Sequence, residues 1–288
     1  MIKKGIVLAG GKGTRLSPLT KAVNKQLLPI YNKPLIYYSL SILMLAKIKD
    51  ILIIVNKGEL DQYKKILPSG SNLGIKIEYQ EQEKPNGLPE AFIIGEKFIK
   101  NQNVALILGD NFFYGQNLSA LLIKAANIKS GAKILLHQVK NPHLYGVAKI
   151  NKKKDILKIK EKPKKFISDK AITGLYFFDN KVVELSKKLK KSNRNELEIT
   201  DLLKIYNRNK KLKSEVLGRG AVWLDTGSLD DFYKASAFVS TIEKRQGVQI
   251  ACLEEISLIN KWIKPKQIHD AIKFYGKCDY SIYLKNLL

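Results

Sequence analysis

A chain of 288 residues with 45% apolar content suffices for one large α/β domain, or one domain with an appended piece, and no apolar run approaches the ~20 residues needed to span a bilayer. Its two cysteines, Cys252 and Cys278, and three histidines, His137, His143 and His269, show no ligand spacing, which excludes a disulfide framework and a His/Cys metal motif. The net charge of +25 raises nucleic acid as a partner, but only five of 51 basic residues are arginine and the lysines spread along the whole chain, the pattern of a solvated surface that draws polyanionic substrates rather than of a specific reader.

Met1-Ile-Lys-Lys4 opens like a signal n-region. Gly5 and the glycine loop behind it interrupt the apolar stretch, so a cytoplasmic protein without a signal peptide is expected. Ile2–Leu8 reads as the first strand. Leu8-Ala-Gly-Gly-Lys-Gly-Thr-Arg-Leu16 then turns polar and glycine-rich. Gly10, Gly11 and Gly13 let the backbone approach a ligand closely, and a run of free N–H groups in such a turn forms an anion nest. Arg15 offers a planar guanidinium and Lys25 a second cation. The reading is a loop that holds a polyphosphate; the alternative is a tight βα turn with no ligand. The dinucleotide fingerprint is absent, because Leu16 stands where its last glycine would be. A P-loop is absent too, because Gly11-Lys12-Gly13 lacks the Gly-Lys-Ser/Thr ending.

Pro34 opens a helix to about Lys47. Ile51–Val55 is a β-branched run typical of a strand buried on both faces. Leu60–Leu67 reads as a helix and Ile75–Gln80 as a strand. After the turn signal Asn86-Gly87, Pro89 opens a helix to about Ile99. Val104–Leu108 is a second buried strand, ending in Gly109-Asp110-Asn111. Strand and helix alternate, which predicts a Rossmann-like α/β fold: a mostly parallel sheet with helices on both faces. Ligands then bind beyond the carboxyl ends of the strands.

Further on, Leu118–Lys129 reads as a helix and Ala132–His137 as a strand. Tyr145–Ile150 and Ile156–Lys160 read as a hairpin and Ala171–Phe178 as a strong strand. Helices follow near Lys181–Leu189 and Glu198–Asn207, then short strands at Lys213–Leu217 and Ala221–Leu224. Ser228 and Asp231 cap a helix to about Arg245. The remainder is helical, interrupted at Pro265 and Gly276. The expected organisation is a domain over 1–245, with a small β insertion in its half at about 111–227, which the resemblance described below implies to be sugar-binding, and a dependent helical segment over 246–288. Tyr37, Phe92 and Phe177 are expected in the core.

Three groups could carry chemistry. Asp110 follows a buried strand, and Asp225 ends another short strand in Trp223-Leu-Asp-Thr-Gly227. Each could ligate Mg²⁺, which one or two carboxylates plus substrate phosphates commonly hold; Asp110 could equally cap the next helix. Glu161-Lys162 could grip a sugar phosphate or be a solvated pair. Gln82, with Gly87 and Leu88, could meet a pyrimidine edge or lie in an ordinary surface loop.

The stretch Leu-Ala-Gly-Gly-x-Gly-Thr-Arg-Leu-x-Pro-x-Thr, followed by Lys25-Gln-Leu-Leu-Pro29, resembles the signature of sugar-1-phosphate nucleotidyltransferases. The Lys-Gln-Leu-Leu-Pro form is similar to their glucose-1-phosphate thymidylyltransferase branch, and the resemblance runs through nearly the whole chain. It implies dTTP and α-D-glucose 1-phosphate as substrates, Mg²⁺ as cofactor, dTDP-glucose for deoxysugar synthesis as product, and a homotetramer. Uridylyl- and cytidylyltransferring relatives share the same core. The resemblance implies Arg15, Lys25 and Lys162 as catalytic residues and Asp110 and Asp225 as metal ligands. Leu8, Gly10, Gly11, Gly13, Thr14, Gln26, Gln82, Gly87 and Leu88 would bind the nucleotide. Leu108, Asn111, Tyr145, Gly146, Glu161, Ile172 and Trp223 would bind the sugar. Pro89 replaces the small residue that follows Gly-Leu in the family; proline is tolerated at a helix start, so the fold is expected to hold.

Overall fold

In the computed structural model, which describes residues 1–288, β1 (Lys4–Leu8) leads into the glycine loop and a small ribbon of β2 (Pro29–Ile30) and β3 (Lys33–Pro34). Then come α1 (Leu35–Leu45), β4 (Asp50–Asn56), α2 (Leu60–Ile66), β5 (Lys76–Gln82), α3 (Glu90–Ile94), α4 (Glu96–Ile99) and β6 (Val104–Leu108). β1 lies between β4 and β6, with β5 outside β4, and all four strands are parallel. Leu8 sits level with Ile54 on one side and Leu108 on the other.

The second half adds β7 (Phe112–Tyr114), α5 (Leu118–Ala126), β8 (Ala132–Gln138), β9 (Gly146–Ile150), β10 (Ile156–Glu161) and β11 (Lys170–Phe178). It continues with α6 (Val182–Lys187), α7 (Ile199–Arg208), β12 (Leu212–Val216), β13 (Val222–Leu224) and α8 (Leu229–Gln246). β11 enters the sheet antiparallel, pairing β6 on one side and β8 on the other, and β12 extends β8 in parallel. The β9–β10 hairpin joins at the start of β11, where Ala171 faces Val147. The result is one nine-stranded sheet, with β7 and β13 as a separate ribbon. The register of β11 against β8 breaks between Ile172 and Tyr176.

Alternation along the central strands divides the core into two layers. Val7, Ile51, Ile53, Ala105 and Ile107 face one layer with α1 and α5. Ile6, Leu52, Ile54, Val104 and Leu106 face the other with α3, α4, α6 and α7. Tyr37, Phe92 and Phe177 are buried within these layers, as their spacing predicts. Helix α1 is buried on every side, which suits its near absence of charge.

The predicted helix Pro89–Ile99 is instead two short helices meeting at Gly95. A Cβ at Gly95 would lie 3.1 Å from Ile6 and 3.2 Å from Leu52, so glycine allows the chain to press onto the sheet there. Pro89 takes φ −61 and caps α3, as expected. The helix begun at Leu118 stops at Ala126, short of the predicted Lys129. Beyond α8 lie α9 (Leu253–Ile259), α10 (Pro265–Tyr275) and α11 (Asp279–Lys285); Pro265 starts a helix rather than merely interrupting one. This segment is fastened by the buried ammonium of Lys33, which donates to Glu243 and Gln249, each at 2.9 Å.

Candidate active site

The glycine loop leaves β1 at the carboxyl edge of the sheet, and its neighbours hold it there. A Cβ at Gly10 would fall 1.6 Å from Nε2 of Gln82, so the Gln82 amide lies directly against this glycine. Asn56, at the end of β4, grips Gly11 from both sides: Gly11 N donates to its Oδ1 at 2.9 Å and its Nδ2 donates to Gly11 O at 3.1 Å. Gly13 adopts φ 57 and caps a 3₁₀ turn over Thr14–Leu16, where Thr20 Oγ1 donates to Gly13 O at 2.9 Å. Sequence reasoning missed Asn56; its signal was a polar residue ending a β-branched strand at the ligand edge.

The Lys25-Gln26 turn is equally fixed. Asn24 Oδ1 accepts from Gln26 N at 2.9 Å and from Tyr63 Oη at 2.8 Å. Gln26 is buried, and its Oε1 has no hydrogen-bond partner. A buried acceptor in that state costs free energy that a ligand's donor would recover. Lys25, also buried, donates from Nζ to Asp110 Oδ2 at 2.7 Å.

Asp110 sits at the head of a chain of bonds. Asn111 Nδ2 donates to Asp110 Oδ1 at 3.0 Å. Asn111 Oδ1 in turn accepts from Trp223 Nε1 at 2.6 Å and from Gly174 N at 3.0 Å. The register break in β11 frees the Gly174 N–H for this bond, and a Cβ there would lie 2.5 Å from Asn111 Oδ1. Thr226, between Asp225 and Gly227, is buried at φ 28 and donates from Oγ1 to the Asp110 carbonyl at 2.8 Å. A threonine in this region is strained, and neither the strain nor the bond was legible in sequence.

Arg15 reaches the same place from the glycine loop. A Cβ at Gly227 would lie 3.2 Å from an Arg15 guanidinium nitrogen and 3.3 Å from Asp225 Oδ2, so the missing side chain is what lets Arg15 lodge beside Asp225. Burial, and then the charges of Asp110 and Asp231, push the Asp225 carboxyl up from its ordinary range against the pull of Lys25 and Arg15. The Tyr145 hydroxyl, half-buried and near Asp225 and Asp231, is pushed up to about 12.

At the other end of the cleft, Glu161 closes β10 opposite Gly146, where a Cβ would lie 3.0 Å from its Oε2. Lys162 adopts φ 36 and donates its N–H to Tyr145 O at 3.0 Å. Burial and the nearby Glu198 raise the Glu161 carboxyl, while Arg194, Lys162 and a Thr200 hydrogen bond oppose the rise. Arg194 Nη2 lies 3.6 Å from Glu161 Oε1. Sequence reasoning missed Arg194, although arginine is rare in this chain and its place in an otherwise lysine-rich loop was a signal.

One cavity of about 520 Å³ joins these groups. Of the predicted residues, Arg15, Leu88, Leu108, Asp110, Asn111, Tyr145, Gly146, Glu161, Lys162, Ile172, Trp223 and Asp225 line it. Gly11 and Thr14 line a neighbouring hollow, also of about 520 Å³, with Asn24 and Asn56. Leu8, Gly10, Gly13, Lys25, Gln26, Gln82 and Gly87 line neither hollow. Gly87 is packed on Leu197, with N–H of Leu197 donating to Asn86 O at 2.7 Å. The cavity thus combines Arg15, two carboxylates from opposite halves of the chain, one of them bonded to Lys25 behind it, and the Glu161–Lys162 pair. Such a set can neutralise a polyphosphate and orient a polyhydroxylated phosphate against it.

Comparison with known proteins matches the family described as Nucleotidyl transferase over residues 4–242. A glucose-1-phosphate thymidylyltransferase of Neisseria meningitidis serogroup A is 49% identical over 285 residues, covering 99% of both chains. The enzyme of that name from Mycolicibacterium smegmatis is 45% identical with the same coverage. A crystal structure of UDP-glucose pyrophosphorylase with UDP-glucose superposes with a TM-score of 0.73 at 26% identity, covering 85% of this chain and all of that one. A Bacillus anthracis structure provisionally named as a glucose-1-phosphate thymidylyltransferase gives a TM-score of 0.75 at 39% identity, covering 82% and 94%. The glycine loop at the carboxyl edge, the carboxylates that share a cavity with Arg15 and these full-length likenesses agree: the chain belongs to the nucleotidyl transferase family, among the glucose-1-phosphate thymidylyltransferases.

Proposed function

We propose that this enzyme joins dTTP and α-D-glucose 1-phosphate, giving dTDP-glucose and pyrophosphate. The observation that carries the reading is the single cavity in which Arg15, Asp110, Asp225, Glu161 and Lys162 converge. The sugar phosphate is already a competent nucleophile, so catalysis rests on positioning and charge neutralisation. Its oxygen attacks the α-phosphorus in line and pyrophosphate leaves. Arg15 and Lys25 neutralise the nucleotide phosphates. Lys162 holds the attacking phosphate, and Glu161 accepts from sugar hydroxyls. Gln26, Gln82, Gly87 and Leu88 meet the nucleoside, the orphaned Gln26 acceptor supporting that role.

Asp110 and Asp225 are assigned to Mg²⁺. No group of three or more His, Cys, Asp or Glu in the chain is placed to hold a metal by itself. Two carboxylates completed by substrate phosphates is how Mg²⁺ is commonly held, and the charge of Asp110, which adds to burial in raising the Asp225 carboxyl, suits a pair that would hold a divalent cation. When bound, the ion supplies positive charge to the reacting phosphates.

A homotetramer is proposed on the resemblance, with exposed Leu229 and Tyr233 on α8 as accessible apolar surface; sedimentation showing a stable monomer would remove it. A cytoplasmic location is proposed likewise; no helix is long and apolar enough to cross a membrane. The decisive test of function is pyrophosphate release from glucose 1-phosphate with dTTP, UTP, CTP and ATP in turn. Preference for dTTP is expected, a preference for UTP or CTP would shift the assignment to those relatives, and no release with any of them would end it.

A further inference from the structure

The segment Ser192–Glu198 runs between the two ends of the cleft and is tied at both. At the nucleotide end, Leu197 N donates to Asn86 O at 2.7 Å, and Lys191 Nζ reaches Asn86 Oδ1 at 3.3 Å. Gly87 packs so closely that a Cβ there would fall 2.2 Å from the Leu197 carbonyl oxygen. At the sugar end, buried Glu198 takes Arg194 through Nε at 3.0 Å and Nη2 at 2.7 Å. Ser192 Oγ also donates to Glu198 at 2.7 Å. The same Arg194 Nη2 lies 3.6 Å from Glu161.

Three carboxylates therefore share one guanidinium, Glu196 Oε2 lying 3.7 Å from Nη2, and they are not equivalent: only Glu198 takes it through two nitrogens. Burial alone would raise Glu198, but the bonds from Arg194 and Ser192 outweigh it and hold the carboxyl below its ordinary range. Glu161 receives no such fork. Arginine has many rotamers, and a guanidinium left free on a surface loop would spend little time beside Glu161. A bidentate carboxylate removes that freedom.

We propose that Glu198 is a positioning residue for the sugar phosphate: it fixes Arg194 against Glu161, and it does so from a segment anchored on the nucleotide loop at Asn86. The proposal rests on the assignment of Glu161 to the sugar. If Glu198 only stapled its own loop, its loss would lower stability and disturb both substrates alike.

The test is steady-state kinetics of Glu198→Gln, Ser192→Ala and Glu161→Gln, varying each substrate separately, with thermal unfolding of each variant. Glu198→Gln is expected to raise KM for glucose 1-phosphate about tenfold while KM for dTTP stays within about twofold. Ser192→Ala, which removes only the third bond to Glu198, is expected to shift KM for glucose 1-phosphate in the same direction by about two- to threefold. Glu198→Asp should recover part of the loss. Equal rises in both KM values together with a lowered Tm, or no change in either, would overturn the proposal. If Glu161→Gln left KM for glucose 1-phosphate unchanged, the sugar assignment itself would fail, and the proposal with it.

Discussion

The ammonium of Lys25 lies 2.7 Å from a carboxylate oxygen of Asp110, across 85 residues of sequence. The contact exists because β1 and β6 are parallel neighbours, so the loops that follow them emerge side by side. Removing one member of such a pair strands the other charge. Lys25→Met is therefore expected to destabilise the fold by about 3 kcal/mol. Adding Asp110→Asn should recover part of that cost, because no lone charge remains. Denaturant unfolding of the single and double variants measures both. The kcat of Lys25→Met should fall by about 10²-fold or more if Lys25 also neutralises the transition state.

The Asp225 carboxyl is raised first by burial and then by Asp110 and Asp231. Between the ordinary aspartate value and the raised one, the folded protein holds a proton that the unfolded chain has released. Stability from this group is thus fully present below the ordinary value and is lost as pH rises through the raised one. Asp225→Asn should flatten that part of the pH–stability profile. On the proposed assignment of Asp225 to Mg²⁺, the ion would have to displace the same proton, so its affinity is expected to weaken as pH falls through this window. Calorimetric Mg²⁺ titrations at several pH values check it; an affinity independent of pH would separate Asp225 from the metal.

Trp223 was expected to touch the sugar, and its ring does line the cavity. Its indole N–H, however, is committed to Asn111 at 2.6 Å, and Asn111 steadies Asp110. Trp223→Phe keeps an aromatic ring, though a smaller one, and leaves that acceptor with Gly174 alone. The variant is expected to lose about 1 kcal/mol of stability and about tenfold in kcat, with little change in KM for either substrate. A change confined to KM for glucose 1-phosphate would instead mark direct sugar contact.

Gly87 combines φ 111 with a Cβ position 2.2 Å from the Leu197 carbonyl oxygen. Gly87→Ala cannot be accommodated by turning a side chain, because the obstacle is backbone. The expected result is a loss of at least about 1–2 kcal/mol and a KM for dTTP raised about tenfold. Thermal unfolding and dTTP saturation curves provide the comparison.

The parallel half of the fold was legible because its central strands are buried on both faces and carry continuous apolar runs, as Ile51–Val55 and Val104–Leu108 do. The glycine loop and its two cations stood out for the same local reason. What remained hidden was non-local. The polar end of β4 marks Asn56 as lying at the ligand edge, but not that it holds Gly11, since that bond depends on β4 lying beside β1. Thr226 and Arg194 act through partners 116 and 33 residues away or through backbone strain, neither of which leaves a periodic trace. The division of the Pro89–Ile99 helix at Gly95 was missed because propensity favours continuation, whereas contact with Ile6 and Leu52 decides the matter.

Leu8 and Leu108 stand at equal height in the sheet, so the basic loop and the acidic turn depart from a common ledge. One residue inserted within Val104–Leu108 would carry Asp110 about 3.3 Å along the strand and send alternate side chains into the wrong layer. Length changes are therefore least permissible along this strand. They are most permissible at remote surface bends such as Lys152-Lys-Lys-Asp155, and chains that vary in length while keeping this chemistry should do so only at such bends.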